Sequence, residues 1–86
     1  MKTPLPTVHT NGTSRADLIK GYEDAYYAID KAISALQSVE FNARDYYVQN
    51  ADAWPRARNA RVLHLDYLKC AKIHVGEHLE HLSIAT

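Results

Sequence analysis

Apolar residues recur in the first half of the chain at alternating spacings of three and four, the period of one face of an α-helix. They continue over three heptads, as in a coiled coil. The positions are Leu18, Tyr22, Ala25, Ile29, Ala32, Leu36 and Val39, flanked every seven residues by Ile19, Tyr26 and Ile33. Ser14, three residues before Asp17, is a suitable N-cap because its hydroxyl can accept from a free N–H of the first turn. The pattern predicts a helix over residues 15–39.

A second helix is predicted over residues 53–82. Asp52 can cap it, and Pro55 is tolerated in its first turn, where the missing N–H would have had no intrahelical partner. Its main apolar face has the same spacings, although Arg61 and Lys72 interrupt it. The face consists of Ala57, Leu65, Leu68, Ala71, Val75, Leu79 and Leu82. Other apolar residues lie elsewhere around this helix, so more than one neighbouring helix is needed to cover it.

The first thirteen residues form an N-terminal arm. They show no helical period, and Pro4 and Pro6 favour an extended backbone. Leu5 and Val8 are expected to pin the arm to a helical surface or to a neighbouring subunit.

Residues 40–52 connect the two helices. Two helices joined in this way form an antiparallel pair, and their wide apolar stripes call for further partners. We therefore expect residues 1–86 to form a single all-α domain. It is an antiparallel helical hairpin with an extended N-terminal arm, and it assembles as a homo-oligomeric helix bundle.

Composition and charge narrow the range of partners. A chain of 86 residues buries a modest fraction of its surface, so a second copy of the chain is the expected source of additional core. Ten basic and ten acidic residues cancel, which disfavours binding to nucleic acid or to an anionic membrane. No apolar run reaches the roughly 20 residues that span a bilayer. Cys70 is the single cysteine, and the N-terminus lacks a signal-peptide pattern, so the expected location is the cytoplasm.

One stretch, His74 to His78, matches the H-x-x-E-H pattern of inverted zinc peptidases, and His81 follows one turn later. Histidines four residues apart share a helix face and could hold one zinc ion. Such peptidases need a further ligand and a larger fold, and Gly76 weakens the helix. We therefore predict no metal site, no cofactor and no enzyme, and interpret the histidines as flanking the apolar face. Cys70 is interpreted as a small packed side chain.

The connecting loop and the start of the second helix are richer in arginine and aromatic residues than a turn requires. Four of the five arginines lie between residues 44 and 61. Guanidinium groups bind phosphate oxygens in a bidentate fork, and aromatic rings stack with a base or a ribose. The predicted contacts to a small anionic nucleotide are Arg44, Tyr46 and Tyr47, with Asn42, Trp54 and Arg58 nearby. The alternative is structural: Arg44 pairs with Asp45, the tyrosines cover the end of the helical bundle, and the remaining arginines are solvated or make subunit contacts.

Two stretches of the sequence are more distinctive than the helices. They are residues 5–14, LPTVHTNGTS, and residues 41–49, FNARDYYVQ, the second followed by Ala53-Trp54. In these stretches the chain resembles a family of small, mostly uncharacterised proteins encoded by bacteriophages and prophages. Asn50 stands where the family often has a glycine, and both residues tolerate a left-handed turn. The resemblance implies a phage protein and brings no established activity with it.

A phage origin favours an anti-defence function. Small oligomeric phage proteins with aromatic and arginine pockets are similar in kind to the sponges that sequester signalling nucleotides of bacterial immune systems. We therefore expect a protein of the host cytoplasm that sequesters such a ligand near the central loop, either a cyclic nucleotide or an ADP-ribose-derived signal. The alternative is a protein-protein interaction module that inhibits or recruits a host or phage protein through the same loop.

Overall fold

In the computed structural model, which describes residues 3–84, the chain is a hairpin of two long α-helices with no strand in that range. Helix α1 spans Arg15–Gln37, a 3₁₀ turn follows at Ala43–Tyr46, and helix α2 spans Ala53–Ile84. Residues 1 and 2 of the predicted arm, and residues 85 and 86 of the predicted domain, lie outside the described part. Neither described helix is long and apolar enough to cross a membrane.

The two helices run antiparallel. The end of α1 meets the beginning of α2, where the carbonyl of Leu36 accepts a hydrogen bond from Arg61. The beginning of α1 meets the far part of α2, where the ring centroids of Tyr22 and His78 are 4.7 Å apart. The predicted all-α antiparallel hairpin is therefore confirmed.

Local hydrogen bonds decide where α1 begins and ends. The Ser14 hydroxyl oxygen accepts from the Asp17 N–H at 3.1 Å, which confirms the predicted N-cap. At the other end, the Val39 N–H bonds to the carbonyl of Leu36, three residues earlier, at 3.2 Å. This tighter spacing closes the helix at Gln37, two residues before the predicted end.

Arg61 of α2 binds the C-terminal end of α1. Its Nη1 donates to the carbonyl of Val39 at 3.3 Å, and its Nη2 donates to the carbonyls of Leu36 at 3.2 Å and Gln37 at 3.0 Å. The last carbonyls of a helix lack intrahelical partners and form the negative end of its dipole. Because the last turn of α1 contains no basic residue, the compensating cation comes from the other helix. The sequence pattern treated Arg61 as an interruption of an apolar face; it is a cross-helix cap.

The apolar core between the helices is thin. The buried apolar side chains among residues 3–84 are Ile33, Val75 and Leu82. Lys72, the second interruption of the apolar pattern, donates to Asp30 of α1 at 2.6 Å. This hydrogen bond raises the pKa of Lys72 above its ordinary value. A polar contact thus occupies the part of the helix interface where Lys72 interrupts the predicted apolar face.

The arm is anchored by a backbone carbonyl. Nε2 of His81 donates to the carbonyl of Pro6 at 2.8 Å, whereas Leu5 and Val8, the predicted anchors, remain exposed. The arm then turns, with the N–H of Gly12 donating to the carbonyl of His9 at 3.1 Å. A Cβ atom at position 12 would lie only 2.8 Å from Nε2 of the His9 ring, so a larger residue here would require the exposed His9 side chain to move.

Replacing Arg61 with alanine is expected to lower the free energy of unfolding by about 1–2 kcal/mol, because three carbonyls lose a charged donor. Chemical denaturation followed by circular dichroism measures the change. Arg58→Ala is the matched control on the same helix, because Arg58 is exposed and makes no bond to the described residues. Equal stability of the two variants would contradict the role given to Arg61.

Candidate functional site

A cluster of three aromatic rings supports the loop. Phe41, Tyr46 and Trp54 are all half-buried, with ring centroids 4.8 Å apart for Phe41 and Trp54, 5.7 Å for Tyr46 and Trp54, and 5.8 Å for Phe41 and Tyr46. The guanidinium carbon of Arg61 lies 4.7 Å from the Phe41 centroid. The side chain that caps α1 therefore also covers this cluster, and it ties the loop to the end of the helical hairpin.

The backbone of the loop is a succession of tight turns. The N–H of Asp45 bonds to the carbonyl of Asn42, that of Gln49 to the carbonyl of Tyr46, and that of Ala53 to the carbonyl of Asn50, each at 3.1 Å. No residue in the described range has a positive φ, so Asn50 is not used for a left-handed turn. The turns bring the second half of the loop against the first turn of α2.

Two shallow clefts meet at Tyr46, Gln49 and Asn50. One, of about 290 Å³, is also lined by Tyr47, Ala51, Trp54 and Pro55. The other, of about 390 Å³, is also lined by Ala53, Arg56 and Ala57. Together we call them the loop clefts. Their volumes fall near the lower end of the range for small-molecule sites, roughly 300–1,000 Å³.

The structure brings together three of the six predicted contact residues. Tyr46, Tyr47 and Trp54 line the first cleft, and Tyr47 is the most accessible of them, with 74% of its surface exposed. Tyr46 and Trp54 have a second role, because they also form the supporting ring cluster.

The other three predicted contact residues do not line the loop clefts. Asn42 donates through Nδ2 to Glu40 at 3.3 Å. Arg44 and Arg58 are exposed and make no bond to the residues described. The ion pair between Arg44 and Asp45, one part of the structural alternative, is therefore not formed, whereas the exposure of Arg58 agrees with another part of it.

Gln49, Asn50 and Arg56 line the clefts but were absent from the predicted site. The helix period offered a clue for Arg56, since positions 53, 56 and 57 fall on one face of the first turns of α2. Nη1 of Arg56 lies 3.8 Å from a carboxylate oxygen of Asp52, and both side chains are exposed. Exposed pairs of this kind contribute little, about 0–1 kcal/mol, so a phosphate can displace Asp52 at low cost.

The C-terminal histidines make contacts within the hairpin. His78 is buried; its ring lies 4.5 Å from that of His74, and its Nδ1 donates to the carbonyl of His74 at 2.8 Å. His81 binds the arm. Within residues 3–84 no three His, Cys, Asp or Glu side chains lie close enough together to hold a metal ion. Cys70, expected to be packed, is exposed.

Comparisons of the chain with protein-family models, with curated proteins and with solved structures give no match.

Trp54 and Tyr47 are expected to differ in their contribution to stability. Trp54→Ala removes the ring that contacts both Phe41 and Tyr46, and we expect the free energy of unfolding to fall by about 2–3 kcal/mol, less than for a fully buried ring. Tyr47→Ala is expected to change it by less than about 0.5 kcal/mol, because Tyr47 is exposed. Thermal unfolding compares the two variants. A large loss in Tyr47→Ala would mean that Tyr47 supports the fold and is not available for binding.

Proposed function

We propose that this protein is a phage-encoded anti-defence protein that sequesters a small immune signalling nucleotide in the host cytoplasm. The observation that supports this most strongly is the pair of loop clefts, which join at Tyr46, Gln49 and Asn50 and have aromatic rings on one side and Arg56 on the other. Aromatic faces accept a base, and a guanidinium group accepts a phosphate. The ligand class is therefore a cyclic nucleotide or an ADP-ribose-derived signal.

The side chains of the loop clefts suit the separate parts of such a ligand. Tyr47 is exposed and can stack on a base. Trp54 is already held in place by its ring neighbours, so its side chain loses little conformational entropy when a ligand binds. The amides of Gln49 and Asn50 offer both donors and acceptors to a base edge or a ribose hydroxyl. Arg56 faces the phosphate, and Arg44 and Arg58, with Asn42, are proposed to contact the outer parts of a ligand that extends beyond the clefts.

Binding without turnover fits the residues of the clefts. Neither cleft has a histidine, cysteine or carboxylate among its lining side chains, so these common acid, base and nucleophilic groups are not directed at a bound molecule. The proposed activity is therefore capture of the ligand. The proposal includes self-assembly as a homo-oligomer, which the thin core between the two helices favours.

Calorimetric titration with cyclic dinucleotides and ADP-ribose derivatives tests nucleotide capture. We expect tight, stoichiometric binding of at least one of them. Tyr47→Leu and Arg56→Gln should each weaken it by about 10-fold, since a stacked base or a charged hydrogen bond contributes roughly 1–3 kcal/mol. Lys69→Gln, a remote exposed position on α2, is the control and should bind normally.

Two results would contradict this function. One is the absence of binding by the folded wild-type protein to every member of the panel. The other is recovery of a cleaved nucleotide after the complex is denatured and its ligand separated by chromatography, because that outcome indicates an enzyme.

One observation favours a second candidate, an interaction module that uses the same loop. Val48 is 95% exposed and lies beside Tyr47, so the tip of the hairpin presents apolar surface to solvent. If the tip inhibits or recruits a host or phage protein, Val48→Asp should abolish capture of one stoichiometric partner from infected cells. Nucleotide binding should persist in that variant, because Val48 lines neither cleft. The two candidates are thereby separated.

A further inference from the structure

The two sides of the hairpin differ in charge. One side carries the Lys72–Asp30 ion pair. The opposite side carries the ring contact between Tyr22 and His78. Residues three or four positions apart lie on the same side of a helix, because each residue advances by about 100° around the axis. On the Tyr22 side we define an uncharged face of ten residues, none of them Asp, Glu, Lys or Arg. It is bordered at one end of the hairpin by Asp17, four residues before Gly21, and at the loop end by Arg56, four residues before Ala60. It consists of Leu18, Gly21, Ala25, Ala28 and Ala32 of α1, and Ala60, Leu63, Tyr67, Ala71 and His74 of α2.

The uncharged face has two complementary halves. The half on α1 is a trough of small side chains, and a Cβ atom added at Gly21 would meet nothing within 4 Å. A shallow cavity of about 290 Å³ lies there, lined by Leu18, Gly21, Tyr22 and Ala25 and, at its outer end, by Asp17. The half on α2 is a ridge, in which Tyr67 is 60% and Leu63 is 47% exposed. A ridge beside a matching trough makes a surface complementary to itself, as a two-fold interface requires.

The exposed area of the single chain also calls for a partner. A folded monomer of 9.7 kDa exposes about 5,100 Å² on average, whereas this chain exposes 6686 Å². The difference exceeds the roughly 800 Å² per partner of a standard interface. The radius of gyration is 18.6 Å, compared with about 12 Å for a compact domain of this length. A homodimer of ordinary size can therefore provide the burial that the single chain lacks.

We propose that the uncharged face is the interface of a homodimer whose two-fold axis runs parallel to the helices. That axis places the α2 ridge of each copy in the α1 trough of the other, whereas an axis across the helices would pack trough on trough. Because α1 and α2 are antiparallel, every helix in the resulting four-helix bundle has antiparallel neighbours, which is favourable for the helix dipoles. Both loops lie at the same end of the bundle, so the loop clefts of the two copies are neighbours. The inference extends the proposed self-assembly and does not depend on the ligand.

Static light scattering of the wild-type protein tests assembly. The expected mass is an even multiple of 9.7 kDa, of which the dimer is the smallest. A monomer or an odd multiple would overturn the proposal.

A pair of glutamate substitutions tests the face. Ala32→Glu places a carboxylate in the trough, where the ridge of the partner would bury it without a cation. We therefore expect the dissociation constant of the dimer to increase by at least about 100-fold. Ser34→Glu is the matched control on the same helix. Ser34 is also exposed, and two residues of helix place it on the opposite side of α1. An Ala32→Glu protein that stays as tightly dimeric as Ser34→Glu would rule out this face.

The direction of the axis is tested without disturbing the face. Val48→Cys in a Cys70→Ser background puts one spin label on each exposed loop. Double electron–electron resonance should give a distance between the two labels well below the 61 Å length of the protomer, because both loops lie at the same end of the bundle. A distance of about that length would show loops at opposite ends and would reject the parallel axis. A short distance in a protein that binds no nucleotide would support the dimer and count against the ligand, so the two proposals fail separately.

Discussion

The guanidinium group of Arg61 is the contact on which the rest of this structure depends. It satisfies three carbonyls at the end of α1 and covers the Phe41 ring, so one side chain joins the first helix, the second helix and the loop. In a hairpin with so few buried apolar residues, a geometrically defined polar contact fixes how the helices are aligned. Arginine suits this position because its planar fork donates to several acceptors at once, which a lysine ammonium does less well.

The loop has its shape because Arg61 acts on it through the ring cluster. Phe41 lies under Arg61, Trp54 and Tyr46 pack against Phe41, and the remaining loop residues are arranged around that support. Tyr47 and Val48 do not pack against this cluster and are exposed to solvent. The division is a common one in binding sites: rigid rings hold the backbone, and neighbouring side chains on the same short segment remain available.

The same thin core gives the uncharged face its importance. A hairpin with polar contacts at Asp30 and Lys72, and with few buried apolar side chains, leaves much apolar surface at the helix sides. On one side the small residues of α1 and the larger residues of α2 stand next to each other. A second copy that covers this side would place the two loops together, so dimer formation would also bring the loop clefts of the two copies next to each other.

The sequence by itself determined the local elements of this protein. Spacings of three and four specified both helices, and Ser14 marked the start of α1, because periodicity and capping act between residues close in the chain. It also marked the loop as the place of unusual chemistry. The tertiary structure alone decided the roles of Arg61 and Lys72 and the anchoring of the arm by His81. These depend on pairs of residues up to 75 positions apart, for which helical period carries no information.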